Sequence, residues 1–283
     1  MRTTRLKEKI AKLKDEMDRL EGLNEHRCAE PDQQISLTDP DARSMATSGR
    51  GSGVVGYNVQ VAVDTENHLI VAHDVTMTGN DTSQLARMAK LTKATLDVDH
   101  LEVVADRGYF NSPEILACRE ANITVTLPKP QTSNNKKRNL FVKADFRYDA
   151  DKDVYICPAG VQLRRRLKTQ EKGLTLFRYW TKACAQCPIK DQCTTGKERR
   201  VTRWEQEHVL EEVQRRLDEN PQAMRTRRET VEHPFGTIKA RMGATHFLMK
   251  RLHNVKTEMS LAVLAYNLTR VINIVGVGPV SYT

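Results

Sequence analysis

Leu101-Glu102-Val103-Val104-Ala105-Asp106-Arg107-Gly108-Tyr109 is the stretch on which the fold turns. Its short, β-branched apolar run predicts a strand that ends at a carboxylate, and Ser112-Pro113-Glu114 just beyond supplies an N-cap and a first-turn proline for a helix. Ligands of open α/β sheets bind at the C-terminal edge of the strands, which makes Asp106 a candidate site residue. An Asp that simply caps the turn into the next helix is the alternative. Upstream, the β-rich runs 57–64 and 68–76 flank Thr65-Glu66-Asn67 and predict an antiparallel hairpin, and Asp81 reads as the N-cap of a helix that ends near Leu96. Downstream, residues 123–127 form a further strand. Hairpin, helix, strand, helix, strand is the order of an α/β fold with a mixed sheet.

The flanks differ from this centre. Residues 1–29 place Leu6, Ile10, Leu13, Met17 and Leu20 at alternating steps of four and three among charges, an amphipathic heptad-like helix that pairs with a partner or lies on the body. Residues 30–55, rich in Gly, Ser and Pro, read as a flexible basic loop. Residues 56–127 form the first part of the core. Residues 128–204 break its pattern with prolines, short aromatic runs and four of the six cysteines, and read as an insertion. Residues 205–275 return to helices, roughly 205–218, 221–241 and 254–275, before a tail at 276–283.

Lys and Arg outnumber Asp and Glu 45 to 36, a net charge of +9 that favours a polyanionic partner over an acidic small molecule. Neither a secretory signal nor a membrane span is expected: Asn267, Arg270 and Asn273 interrupt the apolar C-terminal stretch, and a central Arg alone costs a bilayer helix about 2.5–3.5 kcal/mol. A reducing, cytoplasmic compartment follows, where cysteines are free thiols or metal ligands. Cys157, Cys184, Cys187 and Cys193 therefore stand as the ligand set of a structural zinc, with unliganded thiols as the alternative. Cys118 reads as a buried apolar position.

A second candidate segment is Arg228-Glu229-Thr230-Val231-Glu232-His233-Pro234-Phe235-Gly236-Thr237-Ile238-Lys239. Arg228 and Glu232 share a helix face, with Lys239 two turns on, and Pro234 predicts a kink between them. An ion pair of Arg228 with Glu232 is the plain reading. Retention of Pro234 and Gly236 beside it is the sort of local conflict that marks functional sites. His233 and His246 read as local hydrogen-bonding residues.

Taken together, Asp106 with Gly108 and Tyr109, the cysteine-bearing insertion, and Arg228, Glu232 and Lys239 at their spacing resemble the DDE transposases of bacterial insertion sequences, in the group with a Tyr-Arg-Glu-Lys signature. Thr38-Asp39-Pro40-Asp41-Ala42-Arg43, Gly56-Tyr57-Asn58-Val59-Gln60 and Tyr266-Asn267-Leu268-Thr269-Arg270 resemble one branch of them, so the likeness spans roughly residues 36–275. Arg225 stands at the signature's Tyr position.

The resemblance implies an RNase H-like mixed sheet, double-stranded DNA as partner (terminal repeats and target), a homo-oligomer acting in the bacterial nucleoid, and Mg²⁺ or Mn²⁺ held by Asp106 and Glu232. Arg228, Lys239 and Arg225 would bind phosphate. In the RNase H-like order a strand bearing the first acid precedes the hairpin, and the strand count places that strand ahead of Met1, the expectation for an N-terminally truncated chain. Asp64 is the nearest substitute, but it heads a turn on the wrong strand; Asp39, Asp41, Asp74 and Asp81 have equal or weaker claims. A catalytically inactive DNA-binding or oligomerising remnant is the alternative function. Arg225–Arg228 and the clusters at Lys136 and Arg164 are candidate phosphate tracks, and Tyr179, Trp180 and Trp204 either stack on bases or pack the insertion.

Overall fold

The computed structural model describes residues 2–29, 34–45, 53–131 and 133–276. They divide into two compact units, one built from residues 1–125 and 221–283 and the other from residues 126–220.

The first unit begins with α1 (Arg2–Ala29). Within the expected loop at 30–55, β1 (Arg43–Met45) pairs antiparallel with β2 (Val54–Gly56). Part of that segment is therefore ordered structure; residues 30–33 and 46–52 lie outside the described residues. β3 (Asn58–Val63) and β4 (Ile70–Thr76) form the expected hairpin, with Asn58 opposite Thr76. Asp64 closes its turn by accepting the Asn67 amide at 2.6 Å, the ordinary turn chemistry of Asp.

α2 (Leu85–Leu96) starts with Gln84 in the cap position, so Asp81 is not its N-cap. Glu114 reaches this helix start from elsewhere, accepting the Ala86 amide at 2.9 Å. β5 (Leu101–Val104) is followed by a single 3₁₀ turn at Arg107–Tyr109 and by α3 (Ser112–Glu120), whose cap position is held by Asn111 and not Ser112. β6 (Ile123–Thr126) pairs with β5.

In the second unit the short aromatic runs are strands of one antiparallel meander. β7 (Arg147–Asp149), β8 (Val154–Ile156), β9 (Gln162–Glu171), β10 (Leu174–Trp180) and β11 (Val201–Trp204) lie side by side in that order. One face buries Phe146, Tyr155, Leu163, Tyr179 and Val201. Tyr179 and Trp204 are interior groups here, which assigns them to packing and not to base stacking. The unit continues through α4 (Glu207–Glu219), a helix that sequence periodicity groups with those after it. Charge explains the attachment: buried Glu207 accepts the Trp204 amide at 3.0 Å and pairs with Lys143 at 2.7 Å and Lys129 at 3.3 Å.

The chain then returns to the first unit with α5 (Ala223–Gly236), a π-helical turn (Thr237–Arg241) and α6 (Leu252–Val275). Pro234 has no amide to donate, and the wider turn begins three residues on, at Thr237. Ile238 from that turn, Val255, Met259, Val263 and Tyr266 from α6, and Ile70 and Val75 from β4 make a common core. Polar residues in α6 secure its position. Asn267 bonds both the amide and the carbonyl of Ile70 at 2.9 Å, Tyr266 donates to the His68 carbonyl at 2.7 Å, and Arg270 donates to the Asn67 carbonyl at 2.7 Å. Among the described residues no helix is long and apolar enough to cross a membrane.

Candidate active site

Asp106 emerges from β5 with an extended backbone and accepts the Gly108 amide on Oδ1 at 2.8 Å, which holds its carboxylate over the following turn. Its second oxygen, Oδ2, pairs with Arg227 of α5 at 2.8 Å, although 121 residues separate them. Arg227 belongs to the Arg225–Arg228 cluster, but it lies outside the four-and-seven spacing that singled out Arg228, Glu232 and Lys239. What sequence spacing cannot show is which of two adjacent arginines turns inward: they lie about 100° apart around a helix.

Arg228 and Glu232 are exposed, and an ion pair on the same helix joins Arg225 to Glu229 at 2.9 Å. Arg225 is thereby engaged by a carboxylate. Lys239 is exposed on the π-helical turn, its ammonium 5.6 Å from the centre of the Phe235 ring. His233 bonds the Tyr266 hydroxyl at 2.9 Å and stacks on His68, the local role its sequence suggests.

Beside Asp106 lies a second carboxylate. A Cβ on Gly108 would stand 3.0 Å from Asp106 Oδ1 and 3.5 Å from Asp81 Oδ2, so both acids close on this turn and leave little room for a side chain there. Asp81 is held by donors from β3: Asn58 Nδ2 at 2.8 Å and Gln60 Nε2 at 2.7 Å, both on Oδ1. Gln60 is fully buried, and its Oε1 accepts a short hydrogen bond from the Tyr109 hydroxyl. Burial, then the nearby charges of Asp81 and Asp106, raise the Tyr109 pKa far above its usual value and keep this hydroxyl a donor. The network joins β3, the segment before α2 and the 3₁₀ turn around one point. Its sequence trace is the pair Asn58 and Gln60, polar residues in a hydrophobic strand two apart and hence on one face.

The remaining acids have other work. Asp39 is buried, accepts the Tyr57 hydroxyl at 2.7 Å and the Arg251 amide at 3.1 Å, and Asp41 accepts the Leu252 amide at 2.8 Å. The segment does fold back onto the core, and it uses both carboxylates at the positive end of α6. Asp74 pairs with Arg87 and, at 2.9 Å, with Lys256.

Residues 156–272 match a family described as a transposase DDE domain. This match supports a DDE transposase family, and its span contains Arg228, Glu232 and Lys239 while starting downstream of Asp106. No curated protein and no solved structure matches the chain.

Two donor sets bear on metals. Asp106 and Asp81 supply the hard oxygens that Mg²⁺ and Mn²⁺ prefer, with Arg227 holding one oxygen of Asp106 and Glu232 exposed on α5. In the second unit Cys157, Cys184, Cys187 and Cys193 line one cavity of about 20 Å³ with Phe141, Phe146 and Leu163. Burial, with the neighbouring thiols adding to it against Arg199, raises the Cys193 pKa. Among the described residues no three His, Cys, Asp or Glu side chains converge tightly enough to hold an ion as they stand. Cys118 is buried, as expected, and Cys28 is exposed.

Proposed function

We propose that this chain carries the phosphodiester-processing site of a DNA transposase, with Asp106 and Glu232 as its acids. The observation that supports this most directly is the 2.8 Å pair of Asp106 with Arg227, because it ties the strand-end acid to the helix that bears Arg228 and Glu232. A divalent ion bound by Asp106 and Glu232 would supply Lewis-acid activation of a water or 3′-hydroxyl. The chain's own residues do the positioning. Gly108 fixes Asp106 through its amide, Gln60 and Asn58 fix Asp81 beside it, and Arg227 pairs with Asp106. Arg228 and Lys239, both exposed, offer a bidentate fork and a point charge to DNA phosphates, with Arg225 joining them once released from Glu229.

Purified protein incubated with Mg²⁺ or Mn²⁺ and element-end DNA tests this. Cleavage or strand transfer that disappears in Asp106→Ala and Glu232→Ala, with DNA binding retained, is the expected result. Binding without cleavage in the unaltered chain would leave the second reading, an inactive DNA-binding remnant. The neutralisation of Asp106 by Arg227 favours that one.

The four cysteines around the second-unit cavity are the proposed ligands of a structural zinc. Their backbone supports this: the Gly160 amide donates to the Cys157 carbonyl at 2.8 Å with Gly160 at φ +76°, and the Lys190 amide donates to the Cys187 carbonyl at 3.2 Å, so each forms a tight turn that presents its thiol. One zinc per chain by elemental analysis, lost in Cys184→Ser with Cys187→Ser, is expected; metal-free protein of unchanged stability would refute it.

A further inference from the structure

α1 leaves a whole apolar seam uncovered. Leu6, Ile10, Leu13, Met17 and Leu20 are 59%, 47%, 65%, 59% and 56% exposed, far from the burial that such a stripe is built for. Alternating steps of four and three place these residues on the core positions of a two-stranded coil, and Asn24 falls on the next.

Charge along the helix is divided in two. Residues 2–14 hold six basic residues and one acid, whereas residues 15–28 hold five acids and two basic residues. That distribution opposes the helix's own dipole, which favours acids at the N-terminal end and bases at the C-terminal end; the first turn contains no acid at all. Alone, the helix gains nothing from this arrangement. Beside an identical helix the consequence depends on direction. Side by side in the same direction, the flanking positions set Lys9 against the partner's Lys14 and Glu16 against the partner's Glu21, like charges throughout. In the opposite direction each basic half lies along an acidic half, and each helix end meets the opposite pole of its neighbour. Among the described residues, Glu16 gives up an exposed contact to Arg19, at 3.5 Å.

We infer that α1 is a self-association surface that pairs antiparallel with α1 of a second copy of this chain. The inference is independent of the catalytic reading, since it needs neither Asp106 nor DNA.

Sedimentation equilibrium of the full chain over a range of salt tests it. The expected result is a dimer that weakens as salt rises, because attraction between unlike halves is screened. Leu13→Asp, at an exposed position that does not threaten the core, should abolish the dimer with no change in the circular dichroism of the folded protein. Lys9→Glu and Glu16→Lys should each weaken it by roughly tenfold. The opposite signs, a dimer strengthened by salt and by either charge reversal, or a Cys28–Cys28 disulfide on mild oxidation, would establish parallel pairing and overturn the inference. A monomer at all concentrations, or a dimer indifferent to Leu13→Asp, would overturn it as well.

Discussion

Replacing Gln60 tests whether the polar network beneath Asp81 is a single unit. Gln60 is 1% exposed and its amide serves three neighbours: it donates to Asp81 at 2.7 Å and to Asn58 at 2.8 Å, and accepts from Tyr109. Gln60→Leu keeps the volume but leaves the buried Tyr109 hydroxyl without this acceptor, at about 1–3 kcal/mol, and removes a donor from the ionised Asp81, at about 1.5–3 kcal/mol. Asn58 still donates to Asp81, so the lower half of each range applies and the sum is about 3 kcal/mol. Tyr109→Phe alone strands only the Gln60 carbonyl oxygen and should cost about 1–2 kcal/mol. In the double variant the Tyr109 hydroxyl no longer exists to be stranded, so the combined loss should fall short of the sum by about 1 kcal/mol or more. Urea unfolding of the four proteins measures this cycle through shifts in midpoint at constant slope. Strict additivity, within about 0.3–0.5 kcal/mol, would show that Gln60 and Tyr109 do not act together and would refute the network. Gln60→Glu sharpens the test, because a second carboxylate beside Asp81 should be tolerated at acid pH and destabilise the protein progressively toward neutrality.

Glu207→Ala should destabilise the second unit by about 2–4 kcal/mol, since Lys143 loses its buried counter-charge while remaining partly open to water. Burial pulls the Glu207 pKa up, but Lys143 and Lys129 outweigh it and leave the pKa below 4.5. The stability Glu207 confers should therefore be complete above that pH and vanish as pH falls through the depressed value, and Glu207→Ala should lack that acid-side loss. Asp39→Ala together with Asp41→Ala should loosen the start of α6, raising amide exchange at Arg251 and Leu252 ahead of the rest of the helix. Arg227→Ala and Asp106→Asn should show coupling of about 0.5–1 kcal/mol, modest because both side chains touch solvent. A coupling near zero would mean that the pair does not hold α5 to β5.

Several elements were legible in the residues because the signals were local. The 57–76 hairpin, the strand that ends at Asp106, Cys118 as a core position and the turn role of Asp64 rest on periodicity and turn chemistry within a few residues. Others were hidden by distance. Asp81 looked like a helix cap because Asp commonly is one, yet Gln84 takes that place and Asp81 turns to Asn58 and Gln60 across the sheet. Asp39 and Asp41 sat in what composition marks as loop, and the α6 amides they accept lie more than 200 residues away in sequence. Spacing along α5 singled out Arg228, whereas it is Arg227 that meets Asp106.

The sequence by itself determined the strand-end acid, the divided charge of α1, the cysteine spacing and the helical segment carrying Arg228 and Glu232, since each is a property of neighbouring residues on one chain. Only the tertiary structure decided which side chains neutralise which. Whether Asp106 faces solvent or Arg227, and whether Glu207 joins α4 to a sheet of antiparallel strands, depends on packing that sets distant segments within hydrogen-bond reach. Local propensity carries no record of that choice, because the free energy that makes it comes from burying one particular set of surfaces together.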